Sequence, residues 1–176
     1  LAADGIALAV DGGATLARPV ELQMRSGGHA HARVTADFGA GAQVTIVERQ
    51  TGTGFATSVS DLTVGDGAQV TWIILQEKSA EAVHLGQLNA TLGRDARLSL
   101  FVVNEGGRLV RQEIHAAARG EGAEFSLRGV NLLAGEMEPT AGRILLGGRN
   151  VTRWPAWRRA RGRPGQGGIG RSFQKT

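Results

Sequence analysis

One repeat, running from Phe38 to Val130, constrains what this 176-residue chain can fold into. Four segments share a single grammar: FGAGAQVTIVER, VGDGAQVTWIIL, LGRDARLSLFVV and RGEGAEFSLRGV. Their lead glycines, Gly39, Gly65, Gly93 and Gly120, stand 26, 28 and 27 residues apart, and self-similarity at such a period marks a solenoid. Three positions after each lead glycine comes an alanine: Ala42, Ala68, Ala96 and Ala123. Five positions after it comes Val44, Val70, Leu98 or Phe125, and seven after it Ile46, Trp72, Leu100 or Leu127. The residues between are polar or small (Thr45, Thr71, Ser99, Ser126), which is the period-two alternation of a strand with one buried face.

A weaker strand precedes each turn: Val34-Ala36-Phe38, Ser60-Leu62-Val64, Leu88-Ala90-Leu92 and Ile114-Ala116-Ala118. The last sits one residue out of step with its turn, so a small insertion or bulge is expected there. The Gly-x-Gly-Ala head reads as a turn, with glycine supplying backbone angles that a side chain would forbid. Two strands per period of about 27 residues predict an all-β, parallel β-helix of about five rungs, in which like positions stack into continuous ladders. An antiparallel sandwich of hairpins also gives evenly spaced short strands. The columnar match favours the β-helix, and the crossover rule for parallel strands predicts a right-handed coil.

Residues 5–37 read as the first rungs. Gly5 to Val10 alternates, Asp11-Gly12-Gly13 turns, and Gly13 lies 26 residues before Gly39, in phase with the repeat. Thr15 to Leu22 then reads as the matching strand, with Pro19 expected at an edge, bend or corner because it removes a ladder donor. Ser26-Gly27-Gly28 reads as a loop.

Composition bounds the function classes. No run of 18 apolar residues is present, so no membrane span or membrane partner is expected. Residues 1–10 are apolar but lack a basic leader and do not read as a signal peptide; the absent initiator Met suggests a fragment. The absence of cysteine fits a reducing, cytoplasmic setting and leaves no thiolate for a metal or cluster. The net charge of +4 hides an asymmetry. Residues 1–136 carry 11 basic and 15 acidic side chains, and residues 137–176 carry nine and one, so the tail from 131 reads as irregular and basic.

Beyond the repeat, the words GIALAV, LARPVEL, HARV, LQE, RLVRQEIH and GEGAEFSLRGVNLL occur in an order and spacing that resembles the SufB/SufD family, its SufD branch in particular. The family belongs to the SUF iron–sulfur cluster assembly machinery. The resemblance spans about residues 3–133 and places a SufD-like β-helix core at 1–130. It implies a scaffold without its own catalysis, partnered with SufB and with the ATPase SufC, and no cofactor on this chain alone, with the iron–sulfur cluster formed at the level of the complex. The family's C-terminal region, with its ATPase-binding helices and a histidine near the partner interface, has no match here. The pattern departs at about Asn131, and none of His29, His31, His84 or His115 stands in that histidine's place.

Residues 131–176 resemble instead a fragment of an ABC-transporter ATPase of the branched-chain amino-acid importer type. The matching words are Pro139 to Ile144 and Gly168 to Gln174, which would make Gln174 the Q-loop glutamine and the only cofactor-binding candidate. Nucleotide hydrolysis needs a phosphate-cradling loop with its Lys and an acidic pair for metal and water. The chain contains no G-x-x-x-x-G-K-[ST], so the alternative reading, a transporter nucleotide-binding subunit fused to a β-helix, lacks intact catalytic motifs and no catalytic residue is assigned. Arg143 to Leu146 and Val151 are expected to form a short strand pair around Gly147-Gly148.

The remaining candidates read as structural. His29-x-His31 could pair on one strand face as metal ligands, but no third ligand has a suitable spacing; a solvated loop is expected and no metal site is assigned. Asp61, Asp66 and Asp95 fall near turns, where aspartates bond the backbone. Trp72 occupies a core column. Trp154 and Trp157 beside Arg158, Arg159 and Arg161 resemble a nucleic-acid patch, but the ABC-like wording accounts for the same residues, so no nucleic-acid partner is expected. Glu48, Glu77 and Glu105 follow successive strands and are expected as solvated charges along one outer edge that deter edge pairing.

Overall fold

The computed structural model describes residues 4–132, 145–146 and 149–150. Ten strands build its body. β1 (Asp4–Val10), β3 (His29–Phe38), β5 (Phe55–Val64), β7 (Val83–Leu92) and β9 (Leu109–Ala118) form one sheet in that order. β2 (Val20–Ser26), β4 (Gln43–Gly52), β6 (Gln69–Lys78), β8 (Arg97–Glu105) and β10 (Glu124–Leu132) form the other. Every pairing within the two sheets is parallel. Successive strands alternate between sheets and each pairs with the strand two ahead. That connectivity is a parallel β-solenoid of about five turns, and it excludes the antiparallel hairpin sandwich. Among the described residues no helix is long and apolar enough to cross a membrane.

The columns anticipated from the repeat are the ladders of the core. Val44, Val70, Leu98 and Phe125 stand in register, as do Ile46, Trp72, Leu100 and Leu127. The first three members of each ladder are buried; Phe125 and Leu127, on the last described rung, are 37% and 50% exposed. A rung therefore becomes dry only when a neighbour covers it, as expected of a structure stabilised by nearest-neighbour contacts. Trp72 is packing, as its column implies, with its ring edge-on to Phe38 at 6.4 Å between centroids.

Variation in the period is absorbed at the corners and not within the strands. The step from β6 to β8 is two residues longer than that from β4 to β6 because Ser79–Ala82 occupies the corner that Thr53–Gly54 turns one rung earlier. The expected insertion before Gly120 is Arg119. β9 itself keeps perfect step with β7, and the N–H groups of Arg119 and Gly120 both donate to the Leu92 carbonyl, at 3.0 and 3.2 Å. At the glycine corners, Gly13, Gly41, Gly67, Asp95 and Gly122 form a column of left-handed backbone. Asp95, with φ of 54°, is its one non-glycine member, a conformation that aspartate tolerates better than most residues.

Three sequence expectations about the coil need correction. Gly13 stacks on Gly41 and not on Gly39: the Gly13 N–H donates to the Ala40 carbonyl, and β1 pairs with β3 at an offset that puts Asp11 under Gly39. The offset there is 28 residues, so a count of 26 matched the wrong glycine. Thr15 to Leu22 is not one strand. Thr15 forms an isolated bridge to Gln43, whereas Val20, where β2 begins, pairs with Ile46. Five residues of the lower rung thus span what three span above, and the excess bulges out immediately before β2, where Pro19 needs no ladder donor. His29 and His31 lie in β3 and not in a loop. Farther on, β11 (Leu145–Leu146) and β12 (Arg149–Asn150) form a short antiparallel strand pair; Arg143 and Val151 of the expected pair lie outside the described residues.

Candidate functional site

The lumen between the two sheets is divided lengthwise. On the side of the glycine corners it is apolar: Phe38, Val64 and Leu92 from one sheet meet Val44, Val70, Leu98, Ile46, Trp72 and Leu100 from the other. On the side of the opposite corners the inward positions are polar and equally buried. β4 contributes Glu48 and Gln50, β5 Ser58 and Ser60, β6 Gln76 and Lys78, and β7 His84. These residues obey the same period-two rule as the core. In β4 the inward parity of Val44 and Ile46 continues to Glu48 and Gln50.

Glu48 therefore overturns the expectation of a solvated outer edge. It is 1% exposed, and its carboxylate accepts hydrogen bonds from Gln50 Nε2 (2.6 Å), Trp72 Nε1 (2.9 Å) and Ser60 Oγ (3.3 Å). Burial pushes its pKa above the ordinary carboxylate value, against the three donors, which pull it down. Strand polarity in the sequence pointed outward because acidic residues are seldom buried. The usable signal was parity: Glu77, one position out of phase, does face outward and binds Arg49. Glu105, at the end of β8, is exposed.

Lys78 and His84 form the second polar group. Lys78 is 5% exposed; its Nζ donates to Ser26 Oγ at 2.8 Å and to the Thr51 carbonyl at 3.3 Å. Burial lowers its pKa, and no ion pair includes it among the described residues. His84 Nε2 lies 3.2 Å from Ser58 Oγ. Burial, and secondarily the positive charge of Lys78, lowers its pKa to about 4, so the ring is neutral near pH 7. His84 Nδ1, Gln50 Oε1 and both amide atoms of Gln76 are buried without a protein partner. A cavity of about 200 Å³ opens beside Lys78, His84, Ser58 and Gln50, toward the rungs of β1 to β3.

The other sequence candidates fall elsewhere. His29 and His31 point to the outer face of β3 beside Phe55, and His31 Nδ1 is 2.8 Å from Thr57 Oγ1. His115 is exposed on β9. Among the described residues no group of three or more His, Asp or Glu side chains is placed to hold a metal ion. Asp66 behaves as a turn aspartate, accepting the Arg94 N–H at 2.8 Å. Asp61 lies within β5, away from any turn, where it binds Arg33 and Asn89. Gln174, Trp154, Trp157 and the arginines beside them lie outside the described residues.

No curated protein and no solved structure matches the chain. A family model does match, over residues 22–141, and its description is SUF system FeS cluster assembly, SufBD core domain. The match continues past Asn131, where the wording of the sequence changes, and it takes in every strand of the coil except β1 and the first residues of β2. A parallel β-solenoid with this repeat, matched over more than half its length, belongs to the SufBD core-domain family and has its role in iron–sulfur cluster assembly by the SUF system.

Proposed function

We propose that the chain is a SufD-type scaffold subunit, working by protein–protein contact with SufB and SufC in the cytoplasm and not by chemistry of its own. The carrying observation is the C-terminal rung. Among the described residues, β9 and β10 are the terminal strands of their sheets, and the last members of the apolar ladders are the partly exposed Phe125 and Leu127. Backbone donors and acceptors along such an edge are a template for strand addition. A partner that is itself a β-helix can supply the next rung, pairing both edges and covering both ladders at once. The cluster is then the cargo of the complex. With no cysteine in the sequence to offer a thiolate, the cluster ligands come from other subunits in this reading.

Co-expression of the full chain with SufB and SufC, followed by affinity capture and gel filtration, tests this. Retention of SufB at the mass of a hetero-complex is the expected result. Failure to retain SufB removes the scaffold role, whereas retention of SufB without SufC moves the ATPase contact to a partner.

A further inference from the structure

The Lys78 end of the lumen holds more hydrogen-bonding capacity than the fold consumes. An ammonium has three N–H groups. Two of them are used, on Ser26 Oγ and the Thr51 carbonyl, and the third has no partner among the described residues. The Ser58–His84 contact also leaves a donor over, whichever tautomer the neutral ring adopts. If Ser58 donates to Nε2, the imidazole proton sits on Nδ1, which is buried and unpartnered. If Nε2 donates to Ser58, the hydroxyl proton of Ser58 is the one left over. Gln50 spends its amide nitrogen on Glu48 and leaves Oε1, an acceptor, unpartnered. Lys78, Ser58, His84 and Gln50 line the same cavity of about 200 Å³.

Charge points the same way as hydrogen bonding. Lys78 is 5% exposed and has no acidic side chain within 4 Å among the described residues. An uncompensated ammonium out of water is costly, and proteins normally pair it. Glu48, the acidic group of the same lumen, is held by Trp72, Ser60 and Gln50 instead. The cavity therefore presents the Lys78 ammonium, with the guanidiniums of Arg25 and of Asp61-bound Arg33 also on its lining, at least two unspent donors and one acceptor, beside the apolar wall of Met24 and Ala56.

We propose that this cavity is a binding site for a small monoanion that carries a hydrogen of its own, the anion's acceptor atoms taking Lys78 and the Ser58–His84 donor and its hydrogen going to Gln50 Oε1. The site lies at the rungs of β1 to β3, away from the C-terminal rung.

Bicarbonate, which has an O–H, and nitrate, which has none, are the probes. Each is titrated calorimetrically into the full chain at constant ionic strength, alongside Lys78→Met and Ser58→Ala variants checked for wild-type circular dichroism. The expected result is saturable bicarbonate binding, weaker for nitrate by about tenfold, and lost by at least tenfold in Lys78→Met. Crystals grown in sodium bromide locate the charge site without relying on any variant, through an anomalous peak within hydrogen-bond distance of Lys78 Nζ. Absence of saturable binding to the wild type, unchanged affinity in Lys78→Met, or bromide only at the outer surface (an adventitious ion only) each overturns the proposal. Equal affinity for the two probes overturns the part assigned to Gln50.

Discussion

The two halves of the lumen are built by the same strands, in the same register, at the same depth, from opposite chemistry. Ile46, Trp72 and Leu100 stack in one half; Gln50, Gln76, Lys78 and His84 crowd the other, and all are at most 5% exposed. The apolar half needs no specific partner. Burying each large side chain is worth about 1.5–3 kcal/mol, and any rung that covers another collects it. The polar half must satisfy its groups one by one, and four buried atoms there have no protein partner, each a liability of about 1–3 kcal/mol. A coil of this architecture can thus leave half of its interior wet in composition as long as the other half carries the stacking.

The comparison can be broken most forcefully from the apolar side. Trp72→Ala opens a cavity in the central ladder and strips Glu48 of its indole donor. It should cost about 3–5 kcal/mol in urea unfolding, a large share of the roughly 5–15 kcal/mol that holds an ordinary domain folded. A cost below about 1 kcal/mol would mean that the ladders do not carry the fold.

A second test uses pH. His84 is held neutral, with its pKa at about 4 against 6.5 for the free ring, so the unfolded chain binds the extra proton between those values. The stability associated with the neutral ring is present above pH 6.5 and is lost as pH falls toward 4. At about 1.4 kcal/mol per pKa unit the full loss is about 3 kcal/mol. Glu48 works in the opposite sense. Its pKa is raised, so the penalty of its buried charge grows as pH rises above 4.5 and is relieved on acidification. Lys78, the neighbouring charge that depresses His84, has its own pKa lowered and therefore adds stability as pH rises toward 10.5. Denaturant midpoints from pH 4 to 7, compared between wild type and His84→Gln, isolate the histidine: the variant should lose the steep fall below 6.5.

The smallest expected effect sharpens the comparison from the polar side. Gln76 leaves both amide atoms unpartnered in the strand that also carries Trp72. Gln76→Leu should stabilise the chain by about 1–2 kcal/mol, because an apolar side chain of similar volume has no groups to satisfy. Destabilisation on equilibrium unfolding would show that the amide is satisfied after all, by water or by a ligand, and that the polar half is as finished as the apolar one.

Most of the coil was legible before any coordinates. The period, the ten strands, the alanine and aliphatic columns and the extra residue at Arg119 are local patterns repeated, and a repeat reports its own register. The register of the first rung was not legible. Gly13 and Asp11 both lie near a suitable distance from Gly39, and only hydrogen bonding to the Ala40 and Val10 carbonyls decides between them. The buried polar group was not legible either. Glu48 reads as outward by its polarity, and the partners that hold it inside, Ser60 and Trp72, come from strands 12 and 24 residues along the chain.

By itself the sequence determined a parallel coil with stacked apolar ladders, because alternation and glycine corners act within ten residues and simply recur. Only the tertiary structure decided that Lys78 from β6, Ser58 from β5, His84 from β7 and Ser26 from β2 share one buried space. Lys78 reaches Ser26 across 52 residues of chain, and no periodicity encodes how far a long side chain extends along a lumen once the rungs have closed around it.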